Sequence, residues 1–249
     1  MTRTAADIAA MLEPHGLILR GGFALEPALD DDLLHLRPTA RQLLLVGNAG
    51  SAIWPALADF IKANPGERHP LDRWTQRVVS LLAQDLAVTD LYPFGGPPWW
   101  PFQRWAQRAE PVAASPIAIL IHPVFGLWHA YRAALLLDEP VALPPRMEAE
   151  TPCATCRDQP CLSSCPVGAF DGQSYDVFRC ADHVDGEDGQ ACRDLGCLAR
   201  LACPAGAAWR YETAHALFHM NAFLRARREA RNTAKASETA SSYASPYKG

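Results

Sequence analysis

All eight cysteines of this 249-residue chain fall between Cys153 and Cys203, in the order Cys153-x2-Cys156-x4-Cys161-x3-Cys165-Pro166, then Cys180, then Cys192-x4-Cys197-x5-Cys203-Pro204. Thiolates hold iron–sulfur clusters. Three on a short turning loop can grip three corners of a cubane, while a fourth, followed by proline, is carried to a neighbouring cluster. The spacing is therefore read as metal-binding, with two [4Fe–4S] clusters: Cys153, Cys156, Cys161 and Cys203 on one, Cys165, Cys180, Cys192 and Cys197 on the other. It departs from the simplest pattern in having four residues before Cys161 and a broken second run.

Three other uses compete for the same thiols: structural zinc sites, disulfides and ordinary buried cysteines. Zinc sites usually show Cys-x2-Cys or Cys/His pairs at both ends. Here a single Cys-x2-Cys exists, and Cys165 and Cys203 each open a Cys-Pro-x-Gly phrase ending at Gly168 and Gly206. Disulfides need an oxidising compartment. The opening segment carries Asp7 and Glu13 without a long apolar run, so it reads as a helix rather than a signal peptide, and a cytoplasmic location is expected.

Net charge is -4 and pI near 6.0, which gives no cationic footprint for nucleic acid. The longest apolar candidate, from Pro116 to Leu137, is interrupted by His122, Pro123, Gly126, His129 and Arg132, so no membrane segment is expected.

The first 150 residues lack cysteine and are long enough to bury their own core. The expected division is 1–150 as a mixed α/β unit that binds a cofactor or substrate, 151–210 as the cysteine unit, 211–231 as a helix and 232–249 as a disordered tail. Within the first unit, Thr4 to Leu12 has helical spacing and Gly16 to Leu25 reads as a strand before an acidic loop at Asp30 to Asp32. Gln42 to Val46 is an apolar strand, and Ser51 is placed to cap a helix reaching Ala63. Leu71 to Leu86 is helical with Trp74, Val78, Leu81 and Leu82 on one face, Thr89 to Phe94 and Pro116 to Ile121 are short strands, and a helix is expected to carry His129, Tyr131 and Arg132. The basic run Arg225 to Arg228 reads as a solvated helix end.

The aromatic loop from Leu91 to Trp105, with its prolines and glycines, must pack on something. It is either a lid over the core or a wall for a flat ligand, formed by Trp99, Trp100, Phe102 and Trp105. Tyr92, His122, His129 and Tyr131, polar groups amid apolar neighbours, are the candidate proton donors or ligand contacts; the alternative for the histidines is a hydrogen-bonded structural role.

The run Cys153-Ala-Thr-Cys-Arg-Asp-Gln-Pro-Cys-Leu-Ser-Ser-Cys-Pro-Val-Gly-Ala-Phe170 resembles the dicluster ferredoxin-type module of epoxyqueuosine reductases and reductive dehalogenases. Cys180 stands where those enzymes carry an isolated cysteine. The resemblance covers Cys153 to Gly206 and implies a ferredoxin-like dicluster domain. Those families join it to an α/β domain of the nitroreductase-related kind, shared with cblC-type cobalamin-processing proteins. The succession Tyr92-Pro-Phe94, Trp99-Trp100 and Pro116 to Ile121 loosely resembles the cobalamin-facing part of the latter. The resemblance implies a cobalamin or another flat cofactor beside the aromatic loop. The sequence is read as ending without the additional tRNA-binding domain of epoxyqueuosine reductases, so tRNA chemistry is not expected.

The expected function is an iron–sulfur oxidoreductase: electrons from a redox partner protein, a flavodoxin, ferredoxin or reductase, cross two clusters to a corrinoid or a small substrate. The alternatives are a non-catalytic electron carrier or corrinoid-handling protein, and a zinc-stabilised interaction module.

Overall fold

The computed structural model describes residues 3–243, with side chains placed through residue 233. The chain divides into two compact units: Met1–Ser115, Ile119–Asp158 and Cys203–Tyr211 form the first, Pro116–Ala118, Gln159–Ala202 and Glu212–Gly249 the second. The main division thus falls at Asp158 rather than at residue 150, and Cys203–Tyr211 belongs with the first unit.

The first unit runs α1 (Ala5–Leu12), β1 (Ile18–Ala24), α2 (Asp31–Leu36), β2 (Gln42–Ala49), α3 (Trp54–Ala63), α4 (Pro70–Leu86), β3 (Thr89–Leu91), α5 (Phe102–Ala109), β4 (Ala113–Ala114), β5 (Leu120–Ile121) and β6 (His129–Leu137). β1, β2, β6 and β3 make a four-stranded antiparallel sheet in that order, and β4 pairs with β5. The architecture is mixed α/β. β2 is buried at every position, and Ala133 to Leu137 of β6 are buried too. That explains their continuous apolar runs: a strand covered on both faces needs no alternation. Leu43 and Leu45, opposite Leu136 and Ala134, face α5 and join Phe102, Trp105, Ala106 and Ala109 in one cluster. Leu44 and Leu135, on the other face, are buried as well.

The helix expected around His129 is β6. Tertiary pairing with β2 along its whole length overrides a local pattern that suits either element. Pro116 to Ile121 supplies only the two residues of β5. α3 begins at Trp54 with Ile53 as cap and Pro55 in its first turn, not at Ser51. Asp31 and Asp32 start α2 instead of a loop, and Asp30 is buried, accepting from Arg108 and from the Glu26 N–H. On α4 the buried face is Trp74, Thr75, Val79, Leu82 and Ala83, while Leu81 is 62% exposed.

Two bulges lie at the same height in the sheet. β1 carries one extra residue between Leu19 and Gly22, with Gly21 at φ +70°, and β6 carries one between Tyr131 and Ala133. An inserted residue reverses which face the next side chains meet. Tyr131 therefore joins the α5 side together with Ala134 and Leu136.

The His122–Gly126 turn packs directly on the Cys203 segment. A Cβ at Gly126, φ +57°, would lie 2.0 Å from the Ala205 carbonyl oxygen, and one at Gly206, φ +66°, 2.3 Å from the Phe125 carbonyl carbon. Both glycines are required twice over, by backbone sign and by space. Gly126→Ala is expected to cost about 2–5 kcal/mol, the sum of left-handed strain and overpacking; a urea titration midpoint equal to that of the parent would refute the crossing.

The second unit contains α6 (Pro160–Ser163), α7 (Val177–Asp185), α8 (Gln190–Leu195), α9 (Leu198–Ala202) and α10 (Thr213–Tyr243). Val184, Cys192 and Leu224 form its small core, with Cys180, Leu198 and Met220 against it. α10 does not stop at residue 231. Ala, Lys and Glu among residues 234–240 are strong helix formers, and the helix continues through Tyr243 although a disordered tail was expected there. Residues 244–249 of that expected tail lie outside the described residues. The basic run is partly engaged: Arg228 pairs with Asp185, and Arg231 with Asp182 and Asp185 of α7. No helix among the described residues is long and apolar enough to cross a membrane.

Candidate functional site

Five of the eight thiols lie in the second unit, and four of them sense one another. Loop, helix and turn geometry deliver them separately: Cys165 before the Gly168 turn, Cys180 within α7, Cys192 within α8, and Cys197 between Gly196, φ +91°, and α9. Burial pushes the Cys180 thiol above its ordinary value, and the charges of Cys165 and Cys192 add to this. The Cys192 thiol is raised by burial and by Cys165. Cys197 is pushed up to about 11 by burial, with Cys180 and Cys192 contributing.

Opposing this, hydrogen-bond donors converge on the sulfurs. The Ala169 N–H donates to Cys165 Sγ at 3.3 Å. Leu198 N–H donates to Cys192, and the Ala199 and Arg200 N–H groups donate to Cys197 at the start of α9. The Tyr175 hydroxyl donates to Cys180 and stacks on Phe170 at 4.7 Å. Four thiols, Cys192 buried and the other three partly so, mutually repulsive if ionised and each with a donor aimed at sulfur, fit thiolates neutralised by bound metal; hydrogen bonds to sulfur are a known determinant of cluster potential. Among the described residues, no set of three or more His, Cys, Asp or Glu side chains stands at the spacing of ligands on one metal ion.

In the first unit, Cys203 accepts from the Ala205 N–H; its thiol is raised by burial, and Cys156 adds to this. Cys153 and Cys156 share a turn, with the Cys156 N–H donating to the Cys153 carbonyl at 3.3 Å. Cys161, the remaining thiol, is buried in α6 of the second unit.

Three of the four polar candidates come together in the first unit, around a residue the sequence reading missed. Arg20, fully buried, is turned inward by the β1 bulge and forms a two-pronged pair with Glu110, Nε to Oε1 at 3.0 Å and Nη2 to Oε2 at 2.6 Å. Its Nη1 donates to the Asn48 carbonyl at 3.4 Å, and the guanidinium lies 3.3 Å from His129 Nδ1. The Tyr131 hydroxyl donates to Glu110 at 2.5 Å, and burial, with Glu110 beside it, holds that phenol protonated far above its ordinary range. Because Arg20 can only donate, His129 Nδ1 accepts, and Nε2 carries the proton given to the Leu120 carbonyl at 3.0 Å.

His122 stacks on Phe125 at 4.5 Å and meets His129 edge-on at 5.8 Å. Its Nδ1 accepts from the Val124 and Phe125 N–H groups, at 3.0 and 3.2 Å, and burial lowers its pKa to about 4. It is therefore a neutral imidazole whose proton sits on Nε2, and no described group accepts that proton. An arginine in the middle of an apolar strand beside a glycine doublet was the available signal for Arg20.

Tyr92 lies elsewhere. Its hydroxyl donates to Asp90 at 2.6 Å and lies 2.9 Å from Ser80 Oγ, and burial followed by Asp90 raises its pKa far above the ordinary value. It borders a cleft of about 520 Å³ with Phe94, Pro97, Pro98 and Trp100 on one side and Asp72, Arg73 and Gln76 of α4 on the other. Burial raises the Asp72 carboxyl, opposed by Arg132 and His69. Of the four aromatic candidates only Trp100 lines this cleft. Phe102 and Trp105 are spent on the α5 core, 5.0 Å apart, and Trp99 is 70% exposed.

No protein-family model and no curated protein matches the chain. Among solved structures it is similar to an epoxyqueuosine reductase with an epoxyqueuosine-modified tRNA-Tyr stem loop, at 16% identity and TM-score 0.42, over 80% of this chain and 62% of that one. It is likewise similar to the epoxyqueuosine reductase of Streptococcus thermophilus, at 12% identity and TM-score 0.43, over 81% and 65%. A third is the C. elegans B12-trafficking protein CblC, at 13% identity and TM-score 0.49, over 88% and 95%. The chain spans 62% and 65% of the length of the two reductases. These are the two kinds of protein that the cysteine run and the aromatic loop resemble, and the likeness is distant in both cases.

Proposed function

We propose that this protein is an iron–sulfur oxidoreductase that passes electrons to a small, flat molecule held by its first unit. The observation that carries the reading is the gathering of Cys165, Cys180, Cys192 and Cys197, each with a donor directed at its sulfur. These four would hold one [4Fe–4S] cluster, and the sequence pattern assigns Cys153, Cys156, Cys161 and Cys203 to another. Such clusters exchange single electrons at potentials set by burial and by hydrogen bonds to sulfur. The chain's own part is tuning: the N–H groups at the start of α9 and the Tyr175 hydroxyl favour added negative charge and so favour the reduced state.

The cleft beside Tyr92 and Trp100 is the candidate binding site, of the size that takes a drug-sized ligand or one edge of a corrinoid such as the cobalamin implied by the sequence resemblance. Its mix of aromatic and proline wall with carboxylate and amide suits a flat ring bearing hydrogen-bonding groups. A cytoplasmic setting with a flavodoxin-, ferredoxin- or reductase-type donor completes the proposal, without a role for nucleic acid.

The experiment is anaerobic purification with iron, sulfide and zinc analysis and a dithionite titration. About eight iron and eight sulfide per chain, with visible absorption that bleaches on reduction, is the expected result. A colourless protein holding zinc would replace this reading by the interaction module. Reversible reduction without turnover of any added acceptor, cob(II)alamin included, would leave an electron carrier.

A further inference from the structure

Among the described residues, and apart from the cysteines, a pair of metal-ligating side chains points at a common position. His215 and His219 stand four residues apart on α10, and their Nε2 atoms approach to 3.1 Å, with ring centroids 4.8 Å apart. His215 is fully buried and His219 half-buried, so the shared position opens on the His219 side. Two N–H groups cannot face each other at this distance. Between the two nitrogens there is room for one proton or for one metal ion.

We propose that His215 and His219 chelate a divalent first-row transition ion, apart from the thiol-bound metal. The separation is what chemistry requires. Nitrogens about 2.0–2.1 Å from one ion, at tetrahedral or right angles, lie about 2.9–3.4 Å apart. Residues four apart on one helix face are the arrangement by which paired histidines hold zinc in helical metal sites. Imidazole selects ions such as zinc, nickel and copper over calcium and magnesium. Among the described residues no third His, Cys, Asp or Glu joins the pair at ligand spacing, so water completes the coordination.

The site has a structural address. A Cβ placed on Gly196 would lie 3.4 Å, ordinary van der Waals contact, from the Cβ of Ala216 beside His215, and Gly196 joins Cys192 to Cys197 in the chain. An ion across the first two turns of α10 would stiffen the helix where it supports that loop. The site does not depend on what the thiols bind.

Nickel is the probe, used on the full chain with its thiol-bound metal in place. Equilibrium dialysis is compared for the parent, His219→Ala, and a His219→Ala, Asn221→His double variant that keeps the histidine count but breaks the spacing. Parent protein is expected to bind one nickel more per chain than either variant, with at least tenfold tighter half-saturation for that ion. Its Tm should rise with nickel while theirs does not, by the mass-action stabilisation of a ligand that binds the folded state. Ions bound by thiols are common to all three proteins and cancel. Equal nickel stoichiometry and equal Tm response in all three would overturn the site and leave an N–H···N hydrogen bond between the rings.

Discussion

Replacing Cys197 with serine should leave the purified chain with about four iron instead of about eight. Cys197 has the most strongly raised thiol of its set: burial pushes it up to about 11, Cys180 and Cys192 add to that, and the N-terminus of α9 donates to its sulfur. Metal binding must displace the proton, and because the acid form dominates up to about pH 11, the thiolate available to metal rises about tenfold per pH unit through the neutral range. Loading of the apoprotein with iron and sulfide should therefore be markedly better at pH 8.5 than at pH 7. Serine at Cys165, Cys180 or Cys192 should give the same half-loss if, as proposed, all four hold one cluster. Eight iron retained by any of these variants, or a loading rate indifferent to pH, would dissolve the assignment of the quartet.

The largest stability effect is expected at Arg20. Arg20→Met removes the partner of Glu110 and a donor to the Asn48 carbonyl and His129, and breaking a buried pair from one side costs about 3–5 kcal/mol. Urea unfolding at pH 7 measures it. Adding Glu110→Leu to Arg20→Met should recover part of the loss, because the carboxylate is then no longer stranded. A destabilisation under 1 kcal/mol in the single variant would mean that water serves Glu110 as well as the guanidinium does.

How much of this was legible in the sequence depends on the range of the forces involved. The cysteines were conspicuous in the sequence because their spacing and the Cys-Pro-x-Gly phrases are written locally, whereas the approach of Cys165, Cys180, Cys192 and Cys197 to one another is a product of the fold. Helix α4 and strand β2 were legible in place because a long period or a continuous apolar run leaves little choice. β6 was misread as a helix because its ladder partner is some eighty residues away, and nothing in Leu127 to Leu137 records that pairing. His122, His129 and Tyr131 stood out as polar groups in apolar surroundings, but Arg20, the partner of His129 and Tyr131, was not singled out, because only the bulge in β1 turns it inward. The aromatic loop was noticed for composition. Composition could not say that Phe102 and Trp105 would be consumed by the core while Trp100 remained at the cleft.

The paired bulges also bind two distant insertions to a shared fate. Deleting the extra residue from β1 alone would swing residue 20 to the opposite face and strand Glu110, Tyr131 and His129 without their cation. Deleting the one from β6 alone would leave the arginine buried with half its partners gone. Either single loss is worse than none or both. Relatives of this chain that lack the buried arginine should be shorter by one residue in both strands together, a length correlation across more than a hundred positions that a set of homologous sequences can confirm or refute without any protein being made.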